Sequence, residues 1–218
     1  MPRALFEKTG SAIYISHLDL MRLFQRAFKR AGLHLTHTKG FNPRPSVSIA
    51  LPLSLGVESC CELLDFDLDG DSVSNEEILL RLNGALVEGV KVREIYSEGS
   101  KIKNLAFLDC VVTLEYDNAI PEGAVERIRE LFSREEIVVE KRSKNGITEQ
   151  NIRPMIQMLT VEGQGSELEL KALVCCQNPT LNPMQLSAAI DKYLPDLTPD
   201  FVRVRRVEVY DTKKEVFR

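Results

Sequence analysis

Leu20, Phe24, Ala27, Phe28 and Ala31 fall three or four residues apart, the spacing that lines one face of a helix. The pattern predicts a helix over residues 17–31. Ser16 stands at the N-cap with Asp19 three residues on, an S-x-x-D variant of the capping box, and Gly32 stands where a left-handed C-terminal cap is expected. Residues 2–7 read as a strand before it, closed by a Lys8-Thr9-Gly10-Ser11 turn and a brief apolar stretch to Ile15. Residues 46–53 and 59–68 read as extended segments, the first weakened near Pro52. Ser74 with Glu77 makes a fuller capping box that opens a helix to about Val87; Gly89 ends it, and residues 91–96 form a strand. The order β-α-β-β-α-β matches the ferredoxin-like motif.

A polar stretch containing glycine and serine, residues 97–104, separates this half from a second one. The element order then repeats without any repeat of sequence. A strand is expected over 106–116 and a helix from Pro121 to about Phe132, proline being harmless in a first turn. Strands follow over 136–142 and 167–176, with 152–161 mixed between them. Asn182 caps a last helix that has Pro183 first and runs to about Tyr193, and 201–210 closes as an alternating strand. The expected architecture is α+β: two tandem ferredoxin-like halves, 1–98 and 105–218, with antiparallel sheets.

Composition fits a folded chain, with 44% hydrophobic and 28% charged residues, enough for a real core. No apolar run approaches the roughly 18–20 residues of a membrane span, and the N-terminus has no apolar signal segment, so a cytoplasmic protein without membrane contact is expected. Five cysteines fall as Cys60-Cys61, Cys110 and Cys175-Cys176. Adjacent cysteines in a strand point to opposite faces and no C-x-x-C spacing occurs, so buried thiols are expected rather than a metal site.

Charge changes the picture most. Residues 1–46 hold all three histidines and eight basic residues against two acids, a charge of +6, whereas the remainder carries −10 and the whole chain −4. Such a segment suits phosphate, nucleic acid or an acidic partner. Within it, Arg22, Arg26 and Arg30 stand at i, i+4, i+8 and share a helix face, with Lys29 beside the last. Aligned like charges repel, and the helix dipole favours only the late ones. Guanidinium forks suit phosphate or carboxylate. His17 lies in the first turn beside unpaired backbone N–H groups, with Lys8 one loop upstream. A histidine near a lysine is a candidate for acid–base chemistry on RNA, although Ser16 and Asp19 already have sufficient work as caps.

The segment from Thr36 to Ser46 contains Lys39, Gly40, Phe41, Asn42, Arg44 and two prolines. Such a loop holds a preset shape in which Phe41 stacks on a base and Lys39 and Arg44 meet phosphate; alternatively, Phe41 plugs the core and the prolines fix a tight crossover. No P-loop, G-x-G-x-x-G, G-x-S-x-G or H-E-x-x-H occurs, which argues against a self-contained hydrolase, kinase or dehydrogenase.

Lys8-Thr9-Gly10, Tyr14-Ile15-Ser16-His17-Leu18-Asp19-Leu20-Met21-Arg22 and Gly40-Phe41-Asn42-Pro43-Arg44-Pro45, continued by Ala50-Leu51-Pro52-Leu53 with Gly56, Ser59, Glu62 and Asp65, resemble the radical-SAM-linked family, a bacterial domain of unknown function. Its members resemble stand-alone proteins or C-terminal extensions of radical SAM proteins. Their genes tend to lie beside those of radical SAM, ribonuclease E/G and ribosomal proteins. The resemblance implies a radical SAM partner and an RNA or ribosomal setting. This chain lacks C-x-x-x-C-x-x-C and is not expected to be the radical enzyme, nor to hold a cofactor of its own.

Three functions follow as expectations. The first is an accessory protein that binds RNA or a ribonucleoprotein through Lys8, His17, Arg22, Arg26, Arg30, Lys39, Phe41, Asn42 and Arg44. The second is an adaptor docking an acidic surface of a radical SAM enzyme. The third is an RNA-processing enzyme using His17.

Overall fold

The structure is a computed structural model that describes residues 1–70, 73–143 and 146–218. It is mixed α+β, with mostly antiparallel strands and four α-helices among the described residues. The chain divides into two compact units: Met1–Asn104 together with Val216–Arg218, and Leu105–Glu215.

The first unit runs β1 (Arg3–Lys8), α1 (His17–Arg30), β2 (Val47–Ile49), β3 (Glu58–Phe66), α2 (Asn75–Ala85) and β4 (Val90–Tyr96). Spatially the strands lie in the order β4-β1-β3-β2, each antiparallel to its neighbour. The apolar stripe of α1 buries Leu20, Phe24, Ala27 and Phe28, while α2 adds Ile78 and Leu82, all against Ala4, Phe6, Leu64, Phe66, Val90 and Val92 of the strands. Phe24 meets Phe6 edge-on at 4.8 Å between ring centroids, and Phe28 meets Phe66 at 5.1 Å. Strand β2 is shorter than the alternation over 46–53 suggests: its ladder with β3 ends at Ile49, before Pro52, which lacks a donor. The apolar stretch after β1 forms a 3₁₀ turn, Gly10–Tyr14.

The last three residues complete this unit. The Arg3 guanidinium lies 5.1 Å from the centre of the Phe217 ring and forks onto Asp65 at 2.6 and 2.9 Å. Gly99 leaves room for it, since a Cβ there would stand 2.6 Å from Arg3 Cζ.

The second unit runs β5 (Leu105–Glu115), α3 (Ala124–Ser133), β6 (Val138–Ser143), β7 (Gly146–Asn151), β8 (Ile156–Gln164), β9 (Glu167–Cys175), α4 (Met184–Tyr193) and β10 (Phe201–Asp211). Its sheet has the order β10-β5-β9-β8, again antiparallel throughout, and β6 pairs β7 in a separate ribbon. Here the sequence pattern misleads. The strand expected at 136–142 belongs to the ribbon, and the segment that reads as mixed supplies the sheet's edge strand β8. That strand buries only Ile156 and Val161, and its register shifts between Ile156 and Met158, so alternation is blurred. Helix α3 begins at Ala124 rather than Pro121 because Gly123, at φ +70°, turns the chain into it. Helix α4 begins at Met184, one residue later than expected, with Pro183 at its N-cap; Asn182, just before it, accepts from the Met184 N–H at 3.2 Å.

No disulfide links the five cysteines. The adjacent pairs alternate as strand geometry requires: Cys61 and Cys176 are buried, Cys60 is exposed and Cys175 half-buried. Burial pushes the Cys110 and Cys176 thiols up to about 12. No helix is long and apolar enough to cross a membrane among the described residues.

Candidate functional site

Both ends of α1 are fixed. Ser16 Oγ accepts from the Asp19 N–H at 3.2 Å and donates to Asp19 Oδ2 at 2.7 Å. At the other end Gly32, at φ +67°, lets the Leu33 N–H reach the Phe28 carbonyl at 2.9 Å and its own N–H reach that of Lys29 at 3.2 Å, a Schellman closure. With its apolar face held in the core, the helix turns Arg22, Arg26 and Arg30 outward.

The three arginines line one surface groove of about 410 Å³, whose apolar walls are Ile15, Leu23 and Val87. They are not equivalent. Arg22 pairs with Asp19 at 2.9 Å, a link between two largely exposed side chains that contributes little. Asp19 is held below the usual carboxylate range by its hydrogen bond from Ser16 and then by Arg22. Arg30 donates to the carbonyl of Ala85, in the last turn of α2, where carbonyls lack helical partners. Arg26 alone of the three makes neither a hydrogen bond nor an ion pair among the described residues.

Lys39, Phe41, Asn42 and Arg44 lie on a braced arm. The Thr36 N–H bonds to the Asp67 carbonyl at 3.0 Å, the Asp67 N–H to the Ser46 carbonyl at 3.0 Å and the Ser46 N–H to the Thr36 carbonyl at 2.8 Å. Farther out, the Thr38 N–H bonds to the Arg44 carbonyl at 2.8 Å, and the Arg44 N–H bonds to Thr38 Oγ1 at 3.0 Å. The chain turns between these two residues, and the tip carries Phe41 at 99% exposure. Phe41 therefore does not plug the core. Lys39, Asn42 and Arg44 are exposed around it.

One sequence candidate and one further cation of the segment leave the surface. Lys8 points inward from β1, is fully buried and donates to the Ile13 carbonyl at 2.9 Å, holding the 3₁₀ turn. Arg3, also counted in the +6 segment, is buried on Asp65. Six of the segment's eight cations remain at the surface: Arg22, Arg26, Lys29, Arg30, Lys39 and Arg44. His17 is half-buried, with Nδ1 enclosed and without a hydrogen-bond partner.

Sequence reasoning missed the groove's apolar walls and the Asp67 brace. Val87 and Asp67 are remote in the chain from the residues they serve, so no local spacing announces them. Asp19 was legible as a cap, but its second role as the partner of Arg22 follows from the same i, i+3 geometry and was available.

The fold is similar to that of a chain in the crystal structure of a Cbf5-Nop10-Gar1 complex, with a TM-score of 0.51 and 10% identity over 95% of this chain and 48% of that one. This chain thus spans about half the length of that relative, and at such identity the likeness concerns the fold alone. A protein from Galdieria sulphuraria, described as unknown, aligns at a TM-score of 0.26 with 13% identity, over 94% of this chain and 96% of its own. No curated protein matches. Over residues 2–183 the chain fits the model of a family described as an uncharacterized protein conserved in bacteria (DUF2344), and it belongs to that family.

Proposed function

We propose that this protein binds RNA, or a ribonucleoprotein, through the outer face of α1 and the tip of the braced arm, as an accessory to a radical SAM enzyme in the cytoplasm. The observation that carries the RNA reading is the tip itself: an aromatic ring at 99% exposure on a loop held by hydrogen bonds, with Lys39 and Arg44 exposed beside it. A ring between two cations is a stacking platform flanked by phosphate contacts. Arg26, which makes neither a hydrogen bond nor an ion pair among the described residues, adds a further phosphate contact on α1. The radical SAM partner rests on the resemblance of the S-H-L-D-L and G-F-N-P segments. His17, half-buried in the first turn of α1 with Nδ1 enclosed and without a hydrogen-bond partner, belongs to the same proposed surface.

The decisive variant is Arg22→Ala/Arg26→Ala/Arg30→Ala. Retention of RNA at low salt should fall by about tenfold or more, and the salt dependence should flatten by about 0.7 in log–log slope for each phosphate of a single strand that these arginines no longer neutralise. Unchanged retention at both low and high salt defeats the reading.

A second reading, an adaptor for an acidic protein surface, draws on the apolar walls of the groove, since a purely phosphate-binding face has no need of Ile15, Leu23 and Val87. A radical SAM protein that stays bound after nuclease treatment favours it.

We read the two units as tandem ferredoxin-like halves. In support, each sheet places its strands in one order: β4-β1-β3-β2 in the first and β10-β5-β9-β8 in the second, the β6–β7 ribbon being an insertion.

A further inference from the structure

We infer that the braced arm selects single-stranded RNA over duplex. The inference rests on the RNA-binding reading above and adds a substrate class to it.

The argument is one of access. At 99% exposure the Phe41 ring presents its faces to solvent, at the end of an arm only two chain segments wide. Bases within a duplex have both faces covered by neighbours, so the ring reaches one only after unstacking, which costs free energy at each step. The major groove of A-form RNA is too deep and narrow for a side chain to read, and its shallow minor groove offers hydroxyls and base edges rather than faces. In a single strand the base swings out freely and stacks. Phe41 carries no polar group on its ring, so the stacking itself accepts any base.

The rest of the tip fits the same ligand. Lys39 and Arg44 stand on opposite sides of Phe41 in the chain, where successive phosphates of an extended strand would pass. Asn42 is exposed next to the ring and carries both a donor and an acceptor for a base edge or a 2′-hydroxyl. The platform is also preorganised. The bridge between His37 and Pro45, the Thr38–Arg44 bonds and the ring constraints of Pro43 and Pro45 hold the tip before any ligand arrives, so little ordering opposes binding.

The test compares a fluorescent oligouridine of about ten nucleotides with a blunt RNA duplex of about the same length, by anisotropy at fixed salt, on the full chain. The parent should bind the single strand about tenfold or more tightly than the duplex. Phe41→Ala should weaken the single strand by about 5- to 150-fold, the range expected when one stacked ring is removed, and leave the duplex unchanged; Phe41→Trp should preserve the preference. Because Phe41 buries nothing, circular dichroism should show these variants folded. Equal binding of both RNAs, unaltered in Phe41→Ala but weakened in Arg26→Ala, overturns the inference while the RNA-binding reading stands. Retention of neither RNA at low salt overturns the reading, and the inference with it.

Discussion

Helices α1 and α3 follow the first strand of their respective units, and each carries arginines on its surface, but the two sets are engaged differently. On α3, Arg127 forks onto Asp196 at 2.6 and 2.8 Å, and Arg129 donates to the Val161 carbonyl at 2.7 Å. Both guanidiniums have work within their own unit. On α1, Arg22 has a local partner and Arg30 caps α2, while Arg26 has no such partner and the next segment of chain carries Lys39 and Arg44 out on an arm. The continuation differs too: α1 leads to the exposed tip, whereas α3 leads to the β6–β7 ribbon, where Val138 and the preceding Ile137 are tied back to Tyr193 and Asn151. The same strand order thus carries two surfaces, one whose helix arginines are both engaged within their unit and one where Arg26, Lys39 and Arg44 are exposed and form no ion pair among the described residues. Function is better sought in the second.

The comparison depends on α1 being a rigid platform, and its strongest test attacks that. Phe24 is fully buried on the apolar stripe against Phe6. Phe24→Ala should cost about 3–5 kcal/mol in urea denaturation and lower RNA retention with it, because the arginine face loses its fixed orientation. A cost under about 1 kcal/mol means that the stripe does not anchor α1.

A smaller effect is expected at the helix start. Ser16→Ala removes the acceptor for the Asp19 N–H and should cost about 1 kcal/mol. It also removes the bond that does most to lower the Asp19 pKa. A carboxylate whose folded pKa is lowered stabilises the fold above its ordinary value, near 3.8, and that contribution fades as pH falls through the lowered value. The gap between parent and Ser16→Ala should therefore narrow below about pH 4. A gap constant from about pH 7 to about pH 3 shows that Asp19 adds nothing through its charge.

What the sequence revealed of these surfaces follows from the range of the interactions that shape them. Helix α1 was legible to within a residue because period, cap and C-terminal glycine all act within one or two turns. The arginine stripe was legible for the same reason. The burial of Lys8 was not: a lysine after an alternating strand reads as surface, and only the 3₁₀ turn that follows shows where its ammonium goes. The core alternative for Phe41 also stood open, since glycine and proline fix a loop's stiffness but not its direction. That direction comes from Asp67, far along the chain from Phe41. In the second unit, β8 escaped because an edge strand with two buried positions leaves little alternation to read.

The smallest expected effect bears most directly on the contrast between the helices. If α3 is satisfied internally, Arg127→Ala should lower the melting temperature of the protein slightly and leave RNA retention unchanged, because the partner it gives up is Asp196 rather than a ligand. The pH dependence identifies the cause. Arg127 holds the Asp196 carboxyl below its ordinary range, chiefly through their hydrogen bond, so this pair stabilises the fold above about pH 4 and ceases to do so as Asp196 takes up its proton. Parent and Arg127→Ala should then melt apart at neutral pH and together at acid pH. If Arg127→Ala weakens RNA retention as much as Arg26→Ala does, the guanidinium serves a ligand after all, and the division between a closed and an open surface fails.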